Sequence, residues 1–163
     1  MTYQTVYPEL DTKIVSMCEE AAAAYGVNAD VHPADHIFWF IFNLPYFQNK
    51  ADAVRGYFSN GNESACKLGV ILGELIRTRD VSMLEFASGY GCVTRHLGRE
   101  IPNLDVTACD IHPSAVEFIK NVLGLKCEPS NSAPENLVLR KMFQVVFACH
   151  SFPTCQTERG AIG

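Results

Sequence analysis

The stretch Met83-Leu84-Glu85-Phe86-Ala87-Ser88-Gly89-Tyr90-Gly91-Cys92-Val93-Thr94-Arg95-His96-Leu97 decides the fold. An apolar run, Val81 to Phe86, carries an acid at its end. A turn of small residues follows, and Cys92 to Arg99 then suits a helix. A strand, a tight turn and a helix in immediate succession mark the start of a parallel α/β unit. Gly89 and Gly91 let backbone approach a ligand where a Cβ collides. The helix behind them aims free N–H groups and its positive end at the turn. Glu85 stands where it can organise that turn and help hold an ammonium group.

Downstream the alternation continues. Leu104 to Cys109 reads as a second strand. His112-Pro113-Ser114 opens a helix with proline at its first position, ending near Leu123 before Gly124. Leu125 to Glu128 reads as a short third strand. Met142 to Cys149 is almost continuously apolar, as a strand buried in a parallel sheet is. Asp110 ends the second strand, 25 residues after Glu85. Ligands of parallel sheets lie at the carboxyl ends of the strands. A carboxylate there accepts hydrogen bonds from both hydroxyls of a ribose, and Ile111 beside it can pack against a base.

Upstream of Asp80 the signals are helical. Asp11 to Tyr25 is rich in Ala, Glu and Met and stops at Gly26. Ala34 to Leu44 is a dense aromatic segment that ends at Pro45. Gly61-Asn62-Glu63 precedes a third helix, Ser64 to Thr78, with Leu68, Ile71, Leu72, Leu75 and Ile76 at helical spacing. The aromatic run Ile37 to Phe42 reads first as a helix buried against the α/β core. An acceptor pocket, a partner surface and a membrane contact are the other readings.

The bulk numbers fit this outline. The 163 residues suffice for one compact domain with a core. Hydrophobic residues make up 48% and charged residues 19%, the profile of an ordinary globular protein. The net charge of −5 and absence of clustered Lys and Arg argue against a nucleic-acid partner. Seven cysteines include no C-x-x-C pair, and no histidine pair completes a zinc pattern. They read as buried thiols in a reducing cytoplasm. No signal peptide and no membrane span are expected, because the longest apolar run falls far short of about 20 residues.

The order of acid, turn, helix, strand and acid resembles the class I S-adenosylmethionine-dependent methyltransferases. Their first motif, acid-x-Gly-x-Gly-x-Gly, stands here as Glu85-Phe86-Ala87-Ser88-Gly89-Tyr90-Gly91, and their ribose acid matches Asp110. Their fourth-strand signature matches Phe143-Gln144-Val145-Val146-Phe147. The likeness covers about Val81 to Phe152. It departs at Ala87, in place of the first glycine and tolerable there if φ is negative. It departs also at Gln144, in place of an acid, and in ending soon after the fourth strand.

The resemblance implies a Rossmann-like, mainly parallel sheet of order 3-2-1-4. Residues 1–80 would form a helical cap and first core helix, 81–152 the cofactor-binding part, and 153–163 a loop. It implies S-adenosyl-L-methionine as cofactor and a small molecule as methyl acceptor, of unknown identity. Glu85, Ala87, Ser88, Gly89 and Gly91 would line the methionine portion, with Gly91 at a close approach to the ligand. Asp110 would take the ribose and Ile111 the adenine. Ser130 and Asn131 would meet the adenine edge, unless they form an ordinary polar loop. Tyr57 is a candidate lid residue, with a packed helix-junction tyrosine the alternative. His150 is a weak candidate for a general base. A truncated, non-catalytic cofactor-binding or partner-binding domain is the second functional reading. A nicotinamide dinucleotide site is the runner-up for the ligand, opposed by Thr94 where a third small residue belongs and by Glu85 beside a pyrophosphate. The open edge of the fourth strand is expected to drive self-association.

Overall fold

The computed structural model describes residues 9–133, 136–139 and 141–149. Three helices come first: α1 (Thr12–Ala23), α2 (His36–Phe42) and α3 (Lys50–Thr78). There follow β1 (Val81–Phe86), α4 (Thr94–Glu100), β2 (Leu104–Asp110), α5 (Pro113–Asn121), β3 (Cys127–Pro129) and β4 (Val145–Phe147). The four strands form one sheet, parallel as expected from the alternation and in the order β3-β2-β1-β4 that the resemblance implies.

Side-chain caps start the N-terminal helices. Asp11 accepts from the backbone N–H of Ile14 at 2.8 Å, and Asp35 from that of Phe38 at 3.0 Å. Each satisfies one of the donors a helix start leaves free. Ile14, Cys18 and Ala22 on α1, Phe38 and Ile41 on α2, and Val54, Tyr57 and Phe58 on α3 bury one another in a single cluster. The aromatic helix is therefore buried, but it packs on α3, in one cluster with α1, more than on the sheet, and Phe40 stays 48% exposed.

Two expectations change in α3. The helix begins at Lys50, not Ser64, and runs straight through Gly61. Glycine weakens a helix by propensity alone, but here tertiary packing requires it. A Cβ on Gly61 would stand 2.1 Å from the carbonyl oxygen of Cys92, so glycine is what lets α3 lie against the segment entering α4. The helix kinks instead at Gly73, whose φ of 36° and ψ of −111° are not helical.

In the sheet, Val81, Met83 and Leu84 of β1 are buried and pair in parallel register with Leu104, Val106 and Thr107 of β2. Strand β4 is shorter than its apolar run, Val145–Phe147 rather than Met142 to Cys149. Val145 and Phe147 pack on the core, but Val146 is 67% exposed and Met142 lies outside the strand at 92% exposure, so the near-continuous burial expected of this run is not found. Among the described residues β4 has one strand neighbour, β1. The expected tail, 153–163, lies outside the described residues. Among those described, no helix is long and apolar enough to cross a membrane.

Candidate functional site at the carboxyl ends of the strands

The turn after β1 is pinned to the end of β2. Ser88 donates its N–H to the carbonyl of Cys109 at 3.1 Å, and Gly91 donates to the carbonyl of Ser88 at 3.2 Å. Gly89 donates its N–H to Oδ2 of Asp110 at 2.7 Å, while Oδ1 of Asp110 accepts from the N–H of His112 at 2.9 Å. One carboxylate thus fixes both the turn and the start of α5. Each of its oxygens keeps acceptor capacity, since a carboxylate offers about four lone-pair sites.

Three residues of the turn have left-handed backbones: Ala87 with φ 57°, Gly89 with φ 58° and Gly91 with φ 79°. The negative φ expected at Ala87 is not found. The turn there makes the bend for which the resembling motif uses glycine, and alanine carries strain of about 1–2 kcal/mol. The two glycines also part company. Around Gly89 nothing lies within 4 Å of a Cβ position, so this residue borders open space. A Cβ on Gly91 would stand 2.7 Å from Cδ1 of Leu123 and 3.6 Å from Cγ1 of Ile119. The left-handed φ of Gly91 and the packing of Ile119 and Leu123, at the end of α5 and just past it, both favour glycine here, and Gly91 lines neither hollow at the strand ends.

Two hollows lie at the strand ends, with Ala87 in the wall of both. On one side a hollow of about 160 Å³ is lined by Phe86, Ala87, Asp110, Ile111, Ser130 and Asn131. Ile111 is 49% exposed there, an apolar surface bordering the hollow. Ser130 donates its N–H to the carbonyl of Asp110 at 2.7 Å, and Asn131 uses its side-chain oxygen on the N–H of Ala133 at 2.9 Å. On the other side a hollow of about 90 Å³ is walled by Glu85, Ala87, Ser88 and Gly89, and also by Asp35 and Cys149.

Glu85 is 2% exposed, and its Oε2 has no hydrogen-bond partner. Burial pushes its carboxyl up to about 7; the nearby Thr94 hydroxyl, which does not itself reach hydrogen-bonding geometry, offsets this only in part. A carboxyl oxygen buried without a partner keeps its full capacity to accept a hydrogen bond.

Of the candidates read from the sequence, Glu85, Ala87, Ser88, Gly89, Asp110, Ile111, Ser130 and Asn131 line these two hollows. Gly91 and Tyr57 do not line them. Tyr57 is 1% exposed in the interior of α3 and donates its hydroxyl to Oδ2 of Asp35 at 2.7 Å, so it is the packed tyrosine and not a lid. His150 lies outside the described residues. Asp35 and Ile37 are cleft residues that sequence reasoning missed; an acid ahead of an apolar run signals only a helix cap. Arg95, also unread, is 7% exposed and donates to the carbonyls of Asn28 and Asp30, both at 2.9 Å, and of Gly91 at 3.0 Å. It ties the N-terminal helices to the turn. No group of His, Cys, Asp and Glu suited to a metal occurs among the described residues.

No protein-family model matches the chain, and no curated protein does. Solved structures align with it over part of their length. The plantazolicin methyltransferase BpumL in complex with SAH is 16% identical over 82% of this chain and 50% of its own, with a TM-score of 0.42. Streptomyces venezuelae DesVI is 17% identical over 65% of this chain and 45% of its own, TM-score 0.42. Coclaurine N-methyltransferase bound to N-methylheliamine and SAH is 16% identical over 87% and 43%, TM-score 0.42. The chain spans about half the length of these proteins. Its own strands, parallel and in the order 3-2-1-4 with the two hollows at their carboxyl ends, make it a Rossmann-like α/β fold.

Proposed function

We propose that the two hollows together bind S-adenosyl-L-methionine and that the chain serves methyl transfer to a small-molecule acceptor. The observation that carries this reading is the pair of hollows that share Ala87, one lined by Asp110 and Ile111 and the other by Glu85, whose Oε2 has no partner. The residues fit the molecule. Asp110 has lone pairs left for ribose hydroxyls, and Ile111 offers an apolar surface to adenine. Gly89 leaves the space that a methionine portion needs, and Glu85 supplies an acceptor for its ammonium group. A dinucleotide pyrophosphate would instead meet two acids.

When bound, S-adenosyl-L-methionine supplies an electrophilic methyl group on its sulfonium. The protein's own tasks are alignment and exclusion of water. Asp110 positions the ribose because its carboxylate is already fixed by Gly89 and His112. Glu85 and Ser88 orient the other end from the strand and turn.

Calorimetry with S-adenosylhomocysteine tests the reading. The parent should bind, and Asp110→Ala, which removes charge-assisted bonds worth roughly 1.5–3 kcal/mol each, should bind at least about tenfold more weakly. Equal affinity would remove the ribose assignment; tighter binding of NAD by the parent would replace the ligand. Release of S-adenosylhomocysteine from S-adenosyl-L-methionine with an acceptor then separates a transferase from a domain that only binds.

A further inference from the structure

The cleft holds one acid more than the cofactor reading has used. Asp35 is 2% exposed and shares the hollow with Glu85. Its Oδ1 accepts from the N–H of Phe38 and its Oδ2 from the hydroxyl of Tyr57. Those bonds do not require a charge: asparagine and serine cap helices as well, and a tyrosine hydroxyl is satisfied by a neutral acceptor. Burial works against the charged form, pushing the Asp35 carboxyl up, with Tyr57, Phe38 and Arg95 pulling the other way. Arg95 supplies Asp35 with a cation from the protein interior, through its place 3.5 Å from the Tyr57 hydroxyl, and a ligand's ammonium group would add a second from the cleft side. Among the described residues lining this hollow there is no lysine or arginine, whereas Glu85, in the same lining, has a buried oxygen without a partner.

We infer that Asp35, brought in from the segment ahead of α2, is a second carboxylate for the ammonium group of the methionine portion and acts with Glu85 on the same small hollow. This rests on the cofactor reading above and extends the site beyond the strand-end motif to the N-terminal helices. Two acids facing one hollow match a ligand that carries an ammonium and a sulfonium.

The test compares S-adenosylhomocysteine with its deaminated analogue by calorimetry, on the parent and on Asp35→Asn. Asparagine keeps the cap through its one carbonyl oxygen, turns its NH2 to the Tyr57 hydroxyl, which can accept as well as donate, and removes the charge; Asp35→Ser, which keeps the cap alone, is the second variant should the first fail to fold. The parent should prefer the amine-bearing ligand by at least about tenfold. In the variant, affinity for S-adenosylhomocysteine should fall about fivefold or more while affinity for the analogue changes less than about twofold. An unchanged preference in the variant overturns the role of Asp35 and leaves the cofactor reading standing. An equal loss for both ligands also overturns it, by showing a helix-capping defect. If the parent binds neither ligand, the cofactor reading fails and this inference with it.

Discussion

Alanine placed at Gly91 and at Gly89, one at a time, separates packing from ligand space within a single turn. Both glycines have left-handed φ, 79° and 58°, so both variants incur about 1–2 kcal/mol of backbone strain. Beyond that they differ. The new Cβ at 91 meets Leu123 at 2.7 Å and Ile119 at 3.6 Å. Leu123 can yield because only its terminal methyl is in the way, so the overpacking cost lies at the low end of the usual range, about 1 kcal/mol. The Cβ at 89 meets nothing within 4 Å. Gly91→Ala should therefore lose about 2–3 kcal/mol and Gly89→Ala about 1–2 kcal/mol. Urea denaturation followed by the fluorescence of Trp39, the single tryptophan, reads the difference. Affinity for S-adenosylhomocysteine should rank the other way, with the larger loss at Gly89, whose side chain enters the cleft. Equal destabilisation by the two variants, or a larger loss of affinity at Gly91, would refute the division of labour between them.

Glu85→Gln tests the buried acid. In the parent, the folded state holds a proton on Glu85 up to about pH 7, whereas the unfolded chain gives it up near 4.5. A raised carboxyl stabilises at low pH and its contribution is lost as pH rises through that window. Relative to the parent, Glu85→Gln should gain roughly 2–4 kcal/mol between pH 4 and pH 8 in urea titrations; a constant difference between the two proteins contradicts the burial argument. Ala87→Gly exchanges the strain of a φ of 57° for glycine's greater entropy, for a net gain of about 0.5 kcal/mol, measured as a raised melting temperature. Arg95→Lys cannot reproduce a guanidinium that donates to the carbonyls of Asn28, Asp30 and Gly91 together, and should cost about 2–4 kcal/mol; a loss below about 0.5 kcal/mol would show that water replaces those bonds.

The α/β half was legible because its signals are local. The apolar run of β1, the glycines after it and the acid at Asp110 each sit next to the residues they act on in the chain. The strand order followed from the alternation and the resemblance. What was not legible came from contacts distant in sequence. Gly61 reads as a helix breaker until the carbonyl of Cys92 is seen against it. Gly91 looks like a ligand-contact glycine until α5 is placed over it. Asp35 carries the pattern of a cap, and nothing local says that the first residue of that cap also faces Glu85's cleft. Tyr57 reads as a lid from its place ahead of the sheet, but its hydroxyl points to Asp35 and not to solvent. The positive φ of Ala87 was missed because alanine seldom marks such a turn.

The clamp made by Arg95 has a consequence for synthesis on the ribosome. Its bonds to Asn28 and Asp30 span 67 and 65 residues of chain. The N-terminal helices are translated first, but the guanidinium that fastens them to the turn is translated last of the partners. At roughly 5–20 residues per second this leaves a delay of about 3–13 s. During it the apolar faces of α1 and α2 have only α3 to cover them, so the order of birth leaves that helical trio to pack on itself before the sheet exists.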